Sequence, residues 1–232
     1  MECENGYRRR AILGGLAGAG VLIAAPGLAS AASDNVTATE DLMREHGVLR
    51  RSVIVYREAA ARLSGEGGQV PSGVLHDTAL LFRRFGEDYH ERQLEEAFIF
   101  PEVAKQGGAL AHYADILKQQ HDRGREITDY ILAATHEGGP GTDLQRLSTT
   151  LLQFARMYER HMADEDTVVF TAWKKALSAS RYKDMGEKFE EIEHKTFGAD
   201  GFDEGVSTIA RIETELGIAD IAGFTAPAPP HA

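Results

Sequence analysis

Residues 158–170 read YERHMADEDTVVF, which sets His161 and Glu165 four apart inside an apolar run. Positions four apart in a helix lie on one face, one turn from each other. The same face carries Phe154, Met157 and Val168, so this segment reads as a helix whose imidazole and carboxylate point into a core. Burying both groups without compensation is costly. The rest of the chain must supply the reason.

The pattern is helical almost throughout, with no Val/Ile/Thr alternation long enough for a sheet. A first helix opens on the capping box Thr37-x-x-Glu40 and runs to about Leu63, where SGEGGQVPSG (64–73) breaks it. A second starts at Pro71 or Ser72 and reaches about Gln106. A third spans about Ala109 to Thr135 and ends at HEGGPG (136–141). Thr142 is a good N-cap for a fourth, which runs to about Leu177. Four long rods with short glycine-rich breaks predict an all-α fold, an up-down-up-down four-helix bundle over 36–178. Additional short C-terminal helices, at 181–196 and 203–215, make an extension over 179–222. Residues 223–232, which end TAPAPPHA, read as a disordered tail.

The N-terminus reads as an address and not as part of the fold. Arg9-Arg10-Ala11-Ile12-Leu13 resembles the twin-arginine export motif, and Ala29-Ser30-Ala31 is an A-x-A cleavage site, so 1–31 is expected to be a signal peptide. The apolar stretch between them is too short and glycine-rich for a convincing membrane span. The expected location is therefore the periplasm or another exported site, with no membrane partner after cleavage. The only cysteine, Cys3, would leave with the signal. Twin-arginine systems carry folded proteins, which suits a cofactor loaded before export. Residues 1–31 hold three Arg and two Glu, so the remainder has 22 basic and 34 acidic residues, a net charge of −12. Such a surface repels nucleic acid and anionic lipid.

Each predicted rod carries one histidine deep within it: His46, His90, His121 and His161. His46 shares its stripe with Leu42, Leu49 and Val53, and His121 with Leu117 and Ile131. A weak internal repeat relates EEAFIFPEV (95–103) to EDTVVFTAW (165–173), each preceded by a histidine. Four buried imidazoles and two carboxylates are hard to satisfy with protein partners alone. A dinuclear metal centre satisfies them, since imidazole and carboxylate suit iron or manganese and carboxylates bridge two ions. The ionic charge would offset the desolvation of the glutamates. His112 lies nine residues before His121, about 13 Å along a straight helix and too far for the same ion. His76, His136, His194 and His231 read as loop or surface residues. Phe82, Phe85, Tyr89, Phe98 and Phe100 read as core, with Tyr89 also placed to hydrogen-bond around the site.

The segments REHGVLRR (44–51), DYHERQLEEAFIFPEV (88–103), KQQHDRGREI (118–127) and ERHMADEDTVVF (159–170) together resemble the hemerythrin-like (HHE cation-binding) family over residues 38–177. The resemblance implies a bundle holding two non-haem iron ions, open to oxygen or related small molecules. It maps the family ligands onto His46, His90, His121, His161 and Glu165. Two departures stand out. Four residues after His90 comes Leu94, not Glu; matching Phe100 to Phe170 puts Glu95 opposite Glu165, with Glu96 and Glu91 as rivals. His90 and Glu95 then share a face only if the helix widens into a π-bulge. The second departure is Leu117, at the position where oxygen-carrying hemerythrins look to use another histidine. The expected function is capture of oxygen or nitric oxide at two irons, with manganese also compatible. The four histidines would be terminal ligands, and Glu95 and Glu165 would bridge. The alternative is a di-iron oxidoreductase that consumes peroxide.

Overall fold

A computed structural model of the chain describes residues 36–65, 69–71, 73–136 and 143–230. The expected signal at 1–31 and the expected cap Thr142 lie outside these residues. The described residues are helical with no strand. Helix α1 is Ala38–Leu63. Helix α2 begins as Val74–Leu81, continues in wide π geometry through Phe82–Ile99 and closes as Phe100–Ala104. Helix α3 is Gly108–Thr135. Helix α4 is Leu144–Asp164, a π turn at Glu165–Val169, and Phe170–Ala176. Two shorter helices follow, α5 at Ala179–Phe197 and α6 at Gly201–Leu216.

Four of the six described helix starts carry a side-chain cap. Thr37 accepts from Glu40 N–H, Asp143 from Arg146, Ser178 from Arg181 and Asp200 from Asp203. Each side chain satisfies one of the donors a helix start leaves over. The cap of α4 is thus Asp143, one residue after the threonine expected from the sequence.

Paired contacts give the helix directions. Between α1 and α4, His46 bonds Asp166, Arg57 bonds Glu159 and Ser64 bonds Ser148, so one number rises as the other falls. Between α2 and α3, Arg83 bonds Asp129, Arg125 bonds Glu91, and Lys118 bonds Glu96. Glu45 bonds His90 across α1 and α2, and Gln120 bonds His161 across α3 and α4. The α1–α4 and α2–α3 series run antiparallel, as short connections require.

One end of the core is aromatic. Phe82 meets Phe154 and Tyr158 at ring distances of 4.9 and 4.7 Å, and Tyr56 meets Phe154 at 5.3 Å. Toward the other end, Trp173 of α4 stacks on Phe189 of α5, 5.7 Å between centroids. Helix α6 is tied to α1 by a two-pronged bond from Arg51 to Glu213, at 2.8 and 2.5 Å. A single 3₁₀ turn, Ile221–Phe224, follows, so helical structure reaches two residues beyond the expected limit at 222. No helix among the described residues is long and apolar enough to cross a membrane.

Candidate metal centre

The two π segments decide how the centre is built. Phe100 N–H donates to the Glu95 carbonyl and Phe170 N–H to the Glu165 carbonyl, each reaching five residues back. A five-residue turn rotates the chain by about one position relative to an α-helix, and such turns are frequent at functional sites. In α2 this lets His90 and Glu95 face the same way, as the one-residue offset asks. In α4 it has a side effect that the α-helical reading misses: Val169, not Val168, is the buried valine.

His46, His90, His121, His161, Glu95 and Glu165 converge at the centre of the bundle, each no more than 2 % exposed. Their tips form two sets, His46 and His90 with Glu95, and His121 and His161 with Glu95 and Glu165. Each carboxylate reaches toward both sets. Glu95 lies 3.3 Å from His90 Nε2 through Oε1 and 3.4 Å from His121 Nε2 through Oε2. Glu165 lies 3.4 Å from His46 Nε2 through Oε2 and 3.1 Å from His161 Nε2 through Oε1. The sequence left the pairing of histidines open; the geometry groups His46 with His90 and His121 with His161.

All four imidazoles offer the inner nitrogen, because the outer one is engaged. His46 Nδ1 pairs with Asp166 at 2.7 Å, His90 Nδ1 with Glu45 at 2.5 Å, His121 Nδ1 with Glu96 at 3.0 Å and His161 Nδ1 with Gln120 at 2.9 Å. These acceptors fix tautomer and ring orientation. Asp166 is itself held by Arg50, and Glu96 by Arg125. Phe170 stacks on His46 and Phe100 on His121, both at 5.3 Å, which fills the space beside the two rings. Glu96, the rival for the inner position, belongs to this outer ring, and Glu91 accepts from Tyr158 and Arg125.

His121 Nε2 and His161 Nε2 lie 3.0 Å apart, close enough for one to donate to the other, but other inner atoms lack partners. His90 Nε2 and both oxygens of Glu95 and of Glu165 are buried without a hydrogen bond. Orphaned groups of this kind call for an explanation, and a cation is one that all five atoms share. Without it, the charges lean on protons. Burial opposes protonation of His121, but Glu91, Glu95 and Glu96 overcome it and lift the ring to about 10. Burial likewise opposes ionisation of Glu95, and His90 and His121 outweigh it, holding the carboxyl well below its usual range. A cation would take over the role of those protons.

The hemerythrin HHE cation-binding domain model matches residues 37–173. The chain belongs to this family. The chain is also similar to uncharacterized proteins of Mycobacterium bovis and of two Mycobacterium tuberculosis strains. Each is 46 % identical over 194 residues, covering 82 % of this chain and 74 % of the relative. No solved structure matches the chain. Family membership and the convergent donor sets make this hemerythrin-like chain a metal-binding protein.

The remaining described histidines are not part of the centre, and His231 lies outside the described residues. His76 bonds Thr135 at 3.1 Å, and His112 and His194 are exposed. The acceptors Glu45, Asp166 and Gln120 were not among the residues the sequence pointed to. Glu45 and Asp166 each adjoin a site residue in the chain, His46 and Glu165, yet each bonds an imidazole on a different helix. Adjacency to a site residue is the one signal the sequence held for them.

Proposed function

We propose that this hemerythrin-like protein holds two non-haem iron ions and binds a small oxidant, oxygen or nitric oxide, for storage, carriage or sensing. His46 and His90 would serve one ion and His121 and His161 the other, with Glu95 and Glu165 bridging. The observation that carries this reading is the division of each carboxylate between the two imidazole pairs. Two imidazoles with carboxylate oxygens from Glu95 and Glu165 would leave coordination positions open, a donor set suited to non-haem iron and tolerated by manganese. Bound there, the ions would supply the electrons and open positions for a diatomic ligand. The protein's part is to hold the imidazoles by their Nδ1 atoms and to shield the centre. Leu117, 2 % exposed, keeps the position one turn before His121 apolar.

Export to the periplasm through Arg9-Arg10 is part of the same proposal, as is the exclusion of nucleic acid by the acidic surface. A second reading, consumption of peroxide, is favoured by the Tyr89 hydroxyl on Glu45. Metal analysis of protein from its native host is expected to find two irons per chain, and the reduced protein to take up oxygen with a change in optical absorption that reverses when oxygen is removed. His161→Ala and Glu165→Ala should each lose most of the iron; two irons retained in either variant would refute the ligand assignment. Arg9→Lys with Arg10→Lys should keep the protein inside the cell, and normal export of that variant would remove the signal from the proposal.

A further inference from the structure

Two fully buried tyrosines touch the outer ring of the centre, and neither hydroxyl rests on the backbone. Tyr89 Oη donates to Glu45 Oε1 at 2.8 Å, and the other oxygen of Glu45 takes His90 Nδ1 at 2.5 Å. Tyr158 Oη donates to Glu91 Oε1 at 2.8 Å, while its ring lies 5.3 Å from that of His161. Glu91 passes on through Arg125 to Glu96, which holds His121. A phenylalanine would fill either space without a phenol on a buried carboxylate, so packing alone does not account for the arrangement. Room has been made for one of them: a Cβ on Gly124 would lie 2.0 Å from the Tyr158 oxygen. Tyr89 is 1 % exposed and packed by Phe197 and Phe85, which keeps solvent and small reductants from its ring.

Removing an electron from a phenol leaves a strongly acidic O–H, so the oxidation is feasible in a protein core where a base already accepts a hydrogen bond from it. A carboxylate at 2.8 Å is within the reach a proton acceptor needs. We infer that Tyr89 and Tyr158 are one-electron donors to hydrogen peroxide reduced at the metal centre, with Glu45 and Glu91 taking the phenol protons. Peroxide accepts two electrons and the two phenol protons, which Glu45 and Glu91 release again; its O–O bond breaks, and it leaves as two waters. Each phenol loses one electron and one proton, so two phenoxyl radicals form per peroxide and no other reductant is required. The Tyr89 electron has a route of two hydrogen bonds, through Glu45 to His90; the Tyr158 electron crosses the ring contact to His161.

This inference rests on the metal-centre reading, and the test separates the two. Iron-loaded full-length protein would be mixed with hydrogen peroxide, frozen within milliseconds and examined by electron paramagnetic resonance, with iron measured on the same sample. An organic radical signal is expected, narrowed when the protein is grown on ring-deuterated tyrosine. Tyr89→Phe should at least halve it, and Tyr89→Phe with Tyr158→Phe should abolish it. An iron-loaded wild type with no radical, or with one that deuterated tyrosine does not narrow, overturns the inference and leaves the metal centre standing. A signal undiminished in an iron-loaded Tyr89→Phe variant overturns it too. If a variant fails to hold iron, the labelled wild type decides. Wild-type protein that takes up no iron sinks the metal-centre reading itself.

Discussion

At the scale of single residues the centre is a set of nitrogen atoms aimed by their neighbours. A ring that could pivot about its own bonds is held by an acceptor on Nδ1, so the affinity for a cation depends on residues that never touch it. Three of the four acceptors are carboxylates, and one, Gln120, is neutral. Asp166→Asn keeps an acceptor for His46 and loses the charge, whereas Asp166→Ala loses both. Outer-partner changes cost about 10–100-fold in metal affinity, so Asn should fall at the mild end of that range and Ala at the severe end. Competition with a chelator of known affinity measures both, and equal affinities in the two variants and wild type would remove Asp166 from the design. Glu95→Gln should abolish the shared-carboxylate arrangement, while Glu96→Gln should only weaken binding through His121. The convergence of the histidines was legible because each rod carried one deep histidine, and the internal repeat favoured Glu95 while leaving Glu96 and Glu91 as rivals. The acceptors were not, because a carboxylate beside a histidine in sequence serves a histidine on another helix, and which helices face each other is a tertiary fact.

At the scale of helices, the boundaries followed from caps and glycine breaks, and the expected ends lie within a few residues of those observed. What the 3.6-residue period does not report is a turn of a different width. The offset between His90 and Glu95 betrayed the one in α2, but α4 offered no such mismatch, so Val168 was read as core where Val169 is. The packing of α3 on α4 makes a sharp demand at Gly124. A methyl there would stand 2.0 Å from the Tyr158 oxygen and 2.8 Å from the adjoining ring carbon. Overpacking costs about 1–3 kcal/mol, and the gain in helix propensity from Gly to Ala returns roughly 1 kcal/mol. Gly124→Ala should therefore be destabilising in denaturant titration, and less so in a Tyr158→Phe background; equal losses in both backgrounds would exclude the hydroxyl as the cause. The seam between α5 and α6 should be pH-dependent. Glu193 is buried with one oxygen accepting Phe202 N–H at 2.8 Å, and Asp41, Glu45 and Asp200 add to the burial that lifts it to about 8. The folded state thus binds this proton more tightly than the unfolded chain. Its contribution is fully present below the unfolded value of about 4.5 and is lost as pH rises through 8. Glu193→Gln should show a smaller fall in melting temperature between pH 5 and 9 than wild type, and parallel curves would sink the assignment.

For the molecule as a whole, the centre is a concentration of negative charge that four helices must enclose. Glu45, Glu91, Glu95 and Glu165 are each no more than 2 % exposed, and within their network Arg125 is the one buried arginine among the described residues. Apolar packing at both ends of the bundle offsets part of that cost, while the oxygens at the centre lean on the neighbouring imidazoles and lack hydrogen bonds until a cation meets them. Metal binding and folding are therefore coupled, because the unfolded chain has no assembled site to compete for the ion. At a free metal concentration about 100 times the dissociation constant, one ion stabilises the native state by about 2.7 kcal/mol. A domain of this size gains roughly 2–4 °C for each kcal/mol, so stripping a single ion should lower the melting temperature by about 5–10 °C. If the centre holds two ions as proposed, losing the second should lower it further. Adding the metal back should restore the loss in wild type and in Asp166→Asn at higher metal concentration, yet not in Glu165→Ala. A chelator-treated protein that melts where the loaded protein does would mean that the helices close without help from the ions, and that the charge at the centre is carried entirely by protons.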